Sequence, residues 1–512
     1  MSDNTIRTTS SRTVSATPRG LFIDGKTVAA GPRDLMEIRS PGTGDVVESV
    51  LLCSAEDVDA AVQSAAQAFR SPDWAGLSVR TRARFVNKLA DVMEAHLEEL
   101  YELETLNNGR PIRETRAQLA RVPDLFRYNA GLALAKRDDV IPVEGEYLTY
   151  TKRLPVGVVA NVTPFNHPLL IACRNLAPTF ASGCTTVVKP SEYTPLTTLR
   201  LAELFSEAGL PPGVFNVVTG NGAVTGRALS SHPGIRKLVL TGGTEAGRLA
   251  GAAAASNFAR QTLELGGKTP VVVFDDFDVD QAVNYAAFGA FVGAGQTCVC
   301  AARHIVQRTV YDEFVEKLAK KTAAIRIGDP FDVETQMGPV ISERQRQRVL
   351  DYVAIGKSEG ARLVAGGRIP EKLSNGGYFV EPTVFADVDA GMRIAQEEVF
   401  GPFTVVIPFD AEEDAVRIAN DSPYGLAAAV RTRDVARAHR VADSIEAGII
   451  WINDHHRVDA ASPWGGFKLS GIGREFGKEA FEAYFDVKAV MLNVGDRPFD
   501  WYDMVAADVR LN

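Results

Sequence analysis

The fold is read most clearly from residues 155–189, PVGVVANVTPFNHPLLIACRNLAPTFASGCTTVVK. Two runs rich in β-branched residues, Val158–Val162 and Thr185–Val188, have the length and composition of buried strands. The stretch between them has the amphipathic character of a helix. A strand, a helix and a second strand in this order are typical of a βαβ unit, whose two strands run parallel in one sheet.

The same alternation extends in both directions along the chain. Val214–Val218 and Lys237–Leu240 are further predicted strands, while upstream apolar residues recur at helical spacing over Val58–Phe69 and Arg82–Leu106. We expect those helices to cover the sheet. A Gly-Gly turn and a new apolar run between Leu263 and Asp275 restart the pattern, which predicts a domain boundary there and a second α/β half after it.

Two segments fit neither half, Glu144–Pro155 and Ala483–Leu492. Their polar and apolar residues alternate, as they do in an exposed strand. Because an exposed strand edge invites pairing with another chain, these segments are candidates for contacts between subunits.

The composition is that of a globular protein and limits the classes of partner. At roughly 100–200 residues per domain, 512 residues suggest two to four domains. The 55 Lys and Arg residues against 64 Asp and Glu residues leave a formal charge of −9, so no basic field favours nucleic acid or an anionic membrane. No apolar stretch approaches the roughly 18–20 residues of a membrane span. We therefore expect neither a nucleic-acid partner nor a membrane partner.

The five cysteines lack the paired spacing of a zinc site and the density of a secreted disulfide scaffold. We therefore expect no metal and a reducing compartment, which favours a cytoplasmic protein. Residues 1–18 lack the apolar core of a secretory signal and are expected to form a flexible tail.

Cys298 stands in GQTCVCA, residues 295–301. A thiolate is a good nucleophile, but a free thiol with a pKa of about 8.5 is mostly protonated at neutral pH, so a catalytic cysteine needs an electropositive setting. The competing interpretation is a buried thiol that only packs. That packing role is expected for the other four cysteines, Cys53, Cys173, Cys184 and Cys300.

Glu264 lies in LELGGK, residues 263–268. A carboxylate between two leucines is a candidate general base, because burial raises its pKa toward neutral pH. The alternative is a carboxylate at the rim of the fold that pairs with Lys268.

Three turns that follow predicted strands could hold phosphate or ribose. Gly220–Gly226 and Thr241–Glu245 are glycine-rich and precede predicted helices, whose free N–H groups can bind a pyrophosphate. In VKPSE, Lys189 and Glu192 lie just past a strand end, where an acidic group can accept hydrogen bonds from ribose. A bare turn and an ordinary surface lysine are the alternatives.

Together these motifs resemble those of the aldehyde dehydrogenase superfamily, in the family's order from about residue 20 to about residue 492. PFNHP (164–168), EEVFGP (397–402) and PWGGFK (463–468) followed by Ser470-Gly471 add to VKPSE, LELGGK and GQTC. The resemblance implies an α/β subunit with a Rossmann-like coenzyme domain, an α/β catalytic domain and a β-hairpin flap that joins subunits into a homodimer or homotetramer. The implied division is a tail at 1–18, a coenzyme domain at 19–134 and 156–263, a catalytic domain at 264–478, oligomerisation strands at 135–155 and 479–495, and a C-terminal tail at 496–512.

The resemblance also implies NAD-dependent oxidation of a small-molecule aldehyde to the carboxylic acid. Cys298 would attack the carbonyl, while the side-chain amide of Asn166 and the backbone N–H of Cys298 stabilise the oxyanion. After hydride transfer, Glu264 would deprotonate the water that hydrolyses the thioester, and Glu475 matches a family glutamate linked to proton relay. The implied coenzyme residues are Val162, Thr163, Pro164, Phe165, Lys189, Glu192, Gly222, Gly226, Thr241, Gly242, Gly243, Leu265, Glu398 and Phe400.

Two carboxylates narrow the choice of coenzyme and of reaction. Glu192 favours NAD over NADP, because a carboxylate that binds the 2′-hydroxyl of ribose repels a 2′-phosphate. Glu264 argues against the CoA-acylating branch of the family, which usually lacks a carboxylate at this position. That branch and a catalytically silent homologue are the alternatives.

The implied substrate pocket departs from the apolar pattern common in the family. We expect a polar, carboxylate-bearing or aromatic aldehyde from a catabolic pathway. The pocket would contain Arg174 and the histidines His167 and His456, next to Arg457. An arginine in a concave site pairs well with carboxylates. The alternative is that Arg174 pairs with a structural carboxylate. The predicted lining residues are His167, Arg174, Val292, Thr297, His456, Val458 and Trp464.

Overall fold

The computed structural model describes residues 18–29, 34–496 and 502. The predicted tails at 1–18 and 496–512 therefore lie almost entirely outside the described residues. The described part is a mixed α/β structure built on two large and mainly parallel sheets, which confirms the predicted fold class.

The first sheet has eight strands, and its five central strands run parallel. The four strands predicted between residues 155 and 263 belong to it, and each is buried on both faces, as in a sheet covered by helices. In spatial order its strands are Lys26–Val28, Leu21–Ile23, Phe215–Val217, Thr185–Lys189, Val158–Val162, Lys237–Thr241, Arg260–Glu264 and Gly471–Ile472.

Helices cover this sheet, as predicted. Ala55–Arg70 begins with a capping box, in which Ser54 and Asp57 bond each other's backbone N–H, and packs on the central strands. The stretch predicted as one helical run to Leu106 is two helices that break at His96, whose ring bonds the Val92 carbonyl (2.8 Å). The helices of this half are Ala55–Arg70, Pro72–Ala75, Val79–Ala95, Leu97–Asn108, Ile112–Leu119, Val122–Ala135, Pro168–Ser182, Leu196–Glu207, Arg227–Ser230 and Thr244–Ala255.

The second sheet has seven strands, of which six run parallel. In spatial order they are Arg362–Ala365, Thr383–Ala386, Phe403–Phe409, Ala301–Gln307, Thr269–Val273, Ala427–Arg431 and Ile449–Ile452. The helices of this half are Val279–Phe291, Arg308–Ala323, Glu343–Ser358, Arg393–Gln396, Glu412–Asn420, Val435–Ser444 and Gly477–Glu482. Two further pairs of strands are Leu35–Arg39 with Val46–Leu51 and Tyr424–Gly425 with Phe467–Lys468.

The chain passes from one sheet to the other between Glu264 and Thr269, inside the predicted boundary segment. One strand departs from the predicted division, because Gly471–Ile472 falls within 264–478 yet pairs with the edge of the first sheet. Gly471 permits this contact: its φ is +125°, and a Cβ there would lie 1.8 Å from the Leu263 carbonyl oxygen. The return strand brings the following residues beside Glu264.

The two predicted exposed strands pair with each other. Tyr147–Pro155 runs antiparallel to Phe485–Asn493, and Val140–Ile141 adds a third strand on the other side. Large apolar side chains of this three-stranded sheet face solvent: Val140, Ile141, Tyr147, Leu148, Val487, Met491 and Leu492. Among the described residues, no helix has both the length and the apolarity needed to cross a bilayer.

Candidate active site

The carboxyl edge of the first sheet gathers most of the predicted residues. Val162 lies opposite Lys189 on one side and Leu240 on the other, and Thr241 lies opposite Glu264. Because these strands are parallel, their carboxyl ends meet along one edge, where open α/β sheets bind ligands.

Cys298 lies on the loop between helix Val279–Phe291 and strand Ala301–Gln307. The loop starts with the tight turn Val292–Gly295, in which Gly293, Ala294 and Gly295 all have positive φ. Gly295 is required there, because a Cβ would lie 2.1 Å from the Gly401 carbonyl oxygen.

Of the five cysteines, all within the described residues, four are buried and Cys298 alone is half-buried. Cys300 donates its thiol to the Ala290 carbonyl (3.4 Å). Burial raises the pKa of the Cys298 thiol to about 12; the Glu264, Glu398 and Glu475 carboxylates add to the rise, while Arg174 opposes it. At neutral pH the thiol therefore holds its proton until a base removes it.

Glu264 ends the strand Arg260–Glu264 and is almost fully buried. Neither of its carboxylate oxygens has a hydrogen-bond partner among the described residues. Burial raises the pKa of this carboxyl well above its usual range, and Glu475 adds to the rise. Arg174, Arg474 and the nearby Trp464 indole oppose it. A carboxyl whose pKa is raised by desolvation is a candidate general base.

Arg174 forms a buried ion pair with Glu475. Its guanidinium also lies over the rings of Trp464 (6.0 Å) and Phe476 (5.3 Å). This is the alternative considered for Arg174, pairing with a carboxylate of the protein. Burial raises the pKa of the Glu475 carboxyl, and Arg174 opposes the rise.

Asn166 follows strand Val158–Val162 and precedes helix Pro168–Ser182. Its side chain is buried, and its Oδ1 has no hydrogen-bond partner among the described residues. The Nδ2 of Asn108 donates to the carbonyls of Phe165 (2.8 Å) and Asn166 (3.0 Å), which fixes the backbone at this position.

Most of the residues predicted to bind the coenzyme lie along the same edge. Lys189 is buried, donates to the Pro190 carbonyl (2.8 Å) and lies 3.8 Å from Glu192, which is half-exposed. A Cβ added at Gly222 or Gly243 would meet no atom within 4 Å, so both turns are open to an approaching ligand. Gly226 packs on the Lys189 stem, and the Thr163 N–H donates to the Lys189 carbonyl. The other predicted coenzyme residues here are Val162, Pro164, Thr241, Gly242 and Leu265.

Glu398 and Phe400 come from the second half of the chain. Glu398 accepts the Gly267 N–H (3.0 Å), and burial raises the pKa of its carboxyl. The Phe400 ring meets the Phe165 ring edge to face at 5.7 Å, so the two halves of the chain contact each other beside the loop that carries Cys298. Glu398, Phe400 and Thr297 line one small cavity.

The predicted pocket residues carry less positive charge than the sequence suggested. Burial holds the pKa of His167 well below its usual range and lowers that of His456 to about 4, so both imidazoles are neutral at neutral pH. His456 packs against Phe288 (5.7 Å between rings). Arg457 is exposed, and its carbonyl accepts the Trp451 indole N–H. Val292 and Val458 are half-buried and Trp464 is buried.

Polar residues that no sequence motif indicated lie next to this pocket. Gln118 bonds the His167 ring (3.1 Å) and accepts from Arg110, which lies between Glu104 and Glu114. The sequence feature that could have indicated them is NNGRP, residues 107–111, a polar run at the end of a predicted helix. The side chains of Asn107, Asn108 and Arg110 in this run are buried.

Comparison with known proteins gives consistent matches along the chain. The family model described as the aldehyde dehydrogenase family matches residues 28–490. A betaine aldehyde dehydrogenase of Rhizobium johnstonii is 44% identical over 475 residues, covering 93% of this chain and 97% of the relative. An aldehyde dehydrogenase of Emericella nidulans is 41% identical over 483 residues, with coverages of 94% and 96%. The solved structure of betaine aldehyde dehydrogenase from Staphylococcus aureus in complex with NAD+ superposes with a TM-score of 0.93 at 39% identity, covering 96% of this chain and 97% of that chain.

Proposed function

The chain belongs to the aldehyde dehydrogenase family, and we propose that it oxidises an aldehyde to the carboxylic acid with NAD, using Cys298 as nucleophile and Glu264 as general base. The observation that carries the proposal is a half-buried free thiol beside a buried carboxylate that has no hydrogen-bond partner among the described residues. Burial raises the pKa of both groups, which favours the protonated thiol and carboxyl over the thiolate and carboxylate that react.

In the first step the half-buried Cys298 thiol loses its proton to solvent water, and the thiolate adds to the aldehyde carbonyl. The Asn166 side-chain amide and the Cys298 backbone N–H donate to the oxyanion as charge develops on it. Support comes from the fixed backbone of Asn166 and from the tight turn that precedes Cys298. Donors held in place before the reaction need no reorganisation during it.

When bound, NAD accepts the hydride that leaves the thiohemiacetal carbon. The glycine turns at Gly222 and Gly243 are open, and Glu192 is half-exposed beside Lys189, which fits an adenosine ribose with a free 2′-hydroxyl. Glu398 and Phe400 would hold the nicotinamide end. The Staphylococcus aureus relative is an NAD+ complex, which supports the same coenzyme here.

In the last step Glu264 removes a proton from water, which then hydrolyses the thioester on Cys298. Glu475, whose charge adds to the rise in the pKa of Glu264, is the residue we propose to relay that proton. A carboxylate at this position favours water over CoA as the group that resolves the thioester, so the CoA-acylating reaction is the weaker alternative.

The substrate that fits best is an aldehyde without a carboxylate, either polar or aromatic. Arg174 is neutralised by Glu475, and His167 and His456 are neutral, so none of the predicted lining residues offers a free cation to a carboxylate. Aromatic walls at Phe288 and Trp464 would pack against a ring or a quaternary ammonium group, and the latter is present in the substrate of the betaine aldehyde dehydrogenase relatives.

We also propose the division of labour along the chain that the motifs implied. Residues 19–134 and 156–263 would bind coenzyme, and 264–478 would carry the nucleophile. The three-stranded sheet with its exposed apolar side chains would join subunits in a homodimer or homotetramer. A cytoplasmic location would keep the Cys298 thiol reduced.

The experiment is a panel of aldehydes with NAD and no CoA, followed by NADH absorbance. The panel pairs a hydroxylated aromatic aldehyde with its carboxylated counterpart and includes an aliphatic and a quaternary ammonium aldehyde. We expect NADH formation without CoA and the highest kcat/KM on the uncharged aromatic member. Dependence on CoA would overturn the hydrolytic mechanism, and preference for the carboxylated member would overturn the substrate class.

A further inference from the structure

A buried cluster outside the assigned residues connects the two sides of the site. Arg110 lies between Glu104 (3.6 Å) and Glu114 (3.5 Å), and its Nη1 donates to Oε1 of Gln118 (2.8 Å). The side chains of Arg110, Glu104 and Glu114 are only 5%, 0% and 12% exposed. Charges this deeply buried are costly unless they are paired. We call Glu104, Arg110 and Glu114 the buried triad.

Glu104, on one side of Arg110, contacts the helix that begins beside Asn166. Glu104 Oε2 accepts the Leu169 backbone N–H at 3.1 Å. Leu169 is in the first turn of Pro168–Ser182, where backbone N–H groups have no partner inside the helix. In its ionised form, the Glu104 carboxylate at this end also stabilises the helix dipole. Glu104 therefore fixes where the helix starts, and with it the position of Asn166.

The segment that carries Arg110 holds Asn166 a second time. The Arg110 backbone N–H donates to Oδ1 of Asn108 (3.0 Å), whose Nδ2 donates to the carbonyls of Phe165 and Asn166. The orientation of Asn108 is thus set by the same residue that pairs with Glu104.

Glu114, on the other side of Arg110, contacts the loop that carries Cys298. Glu114 Oε2 accepts the Gly293 backbone N–H at 3.0 Å, in the turn Val292–Gly295. Gly293 and Ala294 have φ of +62° and +53°, a conformation that is unfavourable for alanine and persists only where surrounding contacts hold it. Cys298 follows three residues after this turn, so Glu114 stabilises the backbone that leads into it.

We propose that Arg110 is a positioning residue, which through Glu104 and Glu114 fixes the Asn166 amide and the Cys298 N–H relative to each other as one oxyanion site. The inference rests on the proposed roles of Asn166 and Cys298. An arginine suits this position because its planar guanidinium contacts two carboxylates and the Gln118 amide at once, which a lysine ammonium cannot do in the same geometry. Through Gln118 the network also reaches His167 in the substrate pocket.

The test compares two reactions of the same thiol in Arg110→Met. Acylation of Cys298 by p-nitrophenyl acetate passes through an oxyanion, whereas alkylation by iodoacetamide does not. We expect kcat/KM for the ester and for the aldehyde to fall about 100-fold, as when reacting groups are misplaced by about 1 Å. Alkylation of Cys298 should stay within about threefold of wild type, because the thiol itself is unchanged.

The matched variants separate positioning from stability. Arg82→Met removes another buried arginine, one that bonds the Leu77 and Ser182 carbonyls, and should lower the melting temperature while leaving both reactions unchanged. Arg110→Lys should recover part of the ester activity. If Arg110→Met slows both reactions equally, or neither, the positioning role is wrong.

A second variant covers the case in which Arg110→Met does not fold. Glu114→Gln keeps an acceptor for the Gly293 N–H but removes the charge that pairs with Arg110, so the ester reaction should slow and alkylation should not. Equal slowing of both reactions, or of neither, contradicts the inference. Cys298→Ala is run alongside: if it reacts with the ester as fast as wild type, the proposed nucleophile has failed and not the triad.

Discussion

The Arg174 guanidinium pairs with the Glu475 carboxylate in the buried space beside Glu264. The pair changes how both residues act. Arg174 is held against the Trp464 and Phe476 rings and lowers the pKa of the Cys298 thiol and of the Glu264 and Glu475 carboxyls. We therefore assign its charge to the electrostatics of the site rather than to binding a substrate carboxylate.

Replacing Cys298 with alanine should abolish aldehyde oxidation, with a loss of about 10⁴-fold or more, because the covalent step has no substitute nucleophile. NADH absorbance measures the loss, and calorimetric titration with NAD should give an unchanged Kd. Cys300→Ala is the control, since that thiol is buried and bonds the Ala290 carbonyl. Oxidation at the wild-type rate in Cys298→Ala would refute the mechanism.

Glu264→Gln should separate the two halves of the reaction. Acylation and hydride transfer continue, but the thioester is no longer hydrolysed, because the amide cannot take a proton from water. Rapid mixing should therefore give a burst of about one NADH per site, followed by slow turnover. A burst without any loss of steady-state rate would mean that another group activates the water.

Much of this site could be predicted from local sequence. The strand ends that carry Asn166, Lys189 and Glu264 follow from the alternation of β-branched runs and glycine turns, which depends on neighbouring residues alone. The order of the motifs gave the family.

The rest depends on packing between distant segments. Nothing near Arg174 in the sequence indicates that Glu475 is its partner, and the neutral state of His167 follows from burial, which composition does not reveal. The triad around Arg110 likewise cannot be predicted from local sequence, because Glu114 accepts a hydrogen bond from Gly293 in the other half of the chain.

Glu192→Gln should weaken the preference for NAD over NADP. Loss of a charge-assisted hydrogen bond to ribose costs about 1.5 kcal/mol, so the KM for NAD should rise about tenfold, while repulsion of a 2′-phosphate disappears. The readout is kcat/KM for each coenzyme. Glu207→Gln, which alters an exposed carboxylate on helix Leu196–Glu207, should change neither value. An unchanged NADP to NAD ratio in Glu192→Gln would remove this residue from coenzyme selection.

Gly471→Ala should destabilise the protein by about 3 kcal/mol or more, because a Cβ would overlap the Leu263 carbonyl at a positive φ. Urea unfolding measures the change. Gly131→Ala is the matched control: it lies in helix Val122–Ala135 with open space around it and should stabilise slightly. If the two variants unfold alike, the close approach at Gly471 does not hold in solution.

The pH dependence of Cys298 alkylation tests the electrostatics directly. Without coenzyme, a thiol pKa of about 12 means that the thiolate fraction, and with it the iodoacetamide rate, should rise about tenfold per pH unit from pH 7 to about pH 10 without a plateau. The signs of two variants then differ. Arg174→Met removes a charge that lowers the thiol pKa and should slow alkylation, whereas Glu398→Gln removes one that raises it and should accelerate alkylation, each by about threefold. Mass spectrometry identifies the alkylated residue at each pH. A plateau below pH 9, or shifts of the same sign in the two variants, would contradict this arrangement of charges.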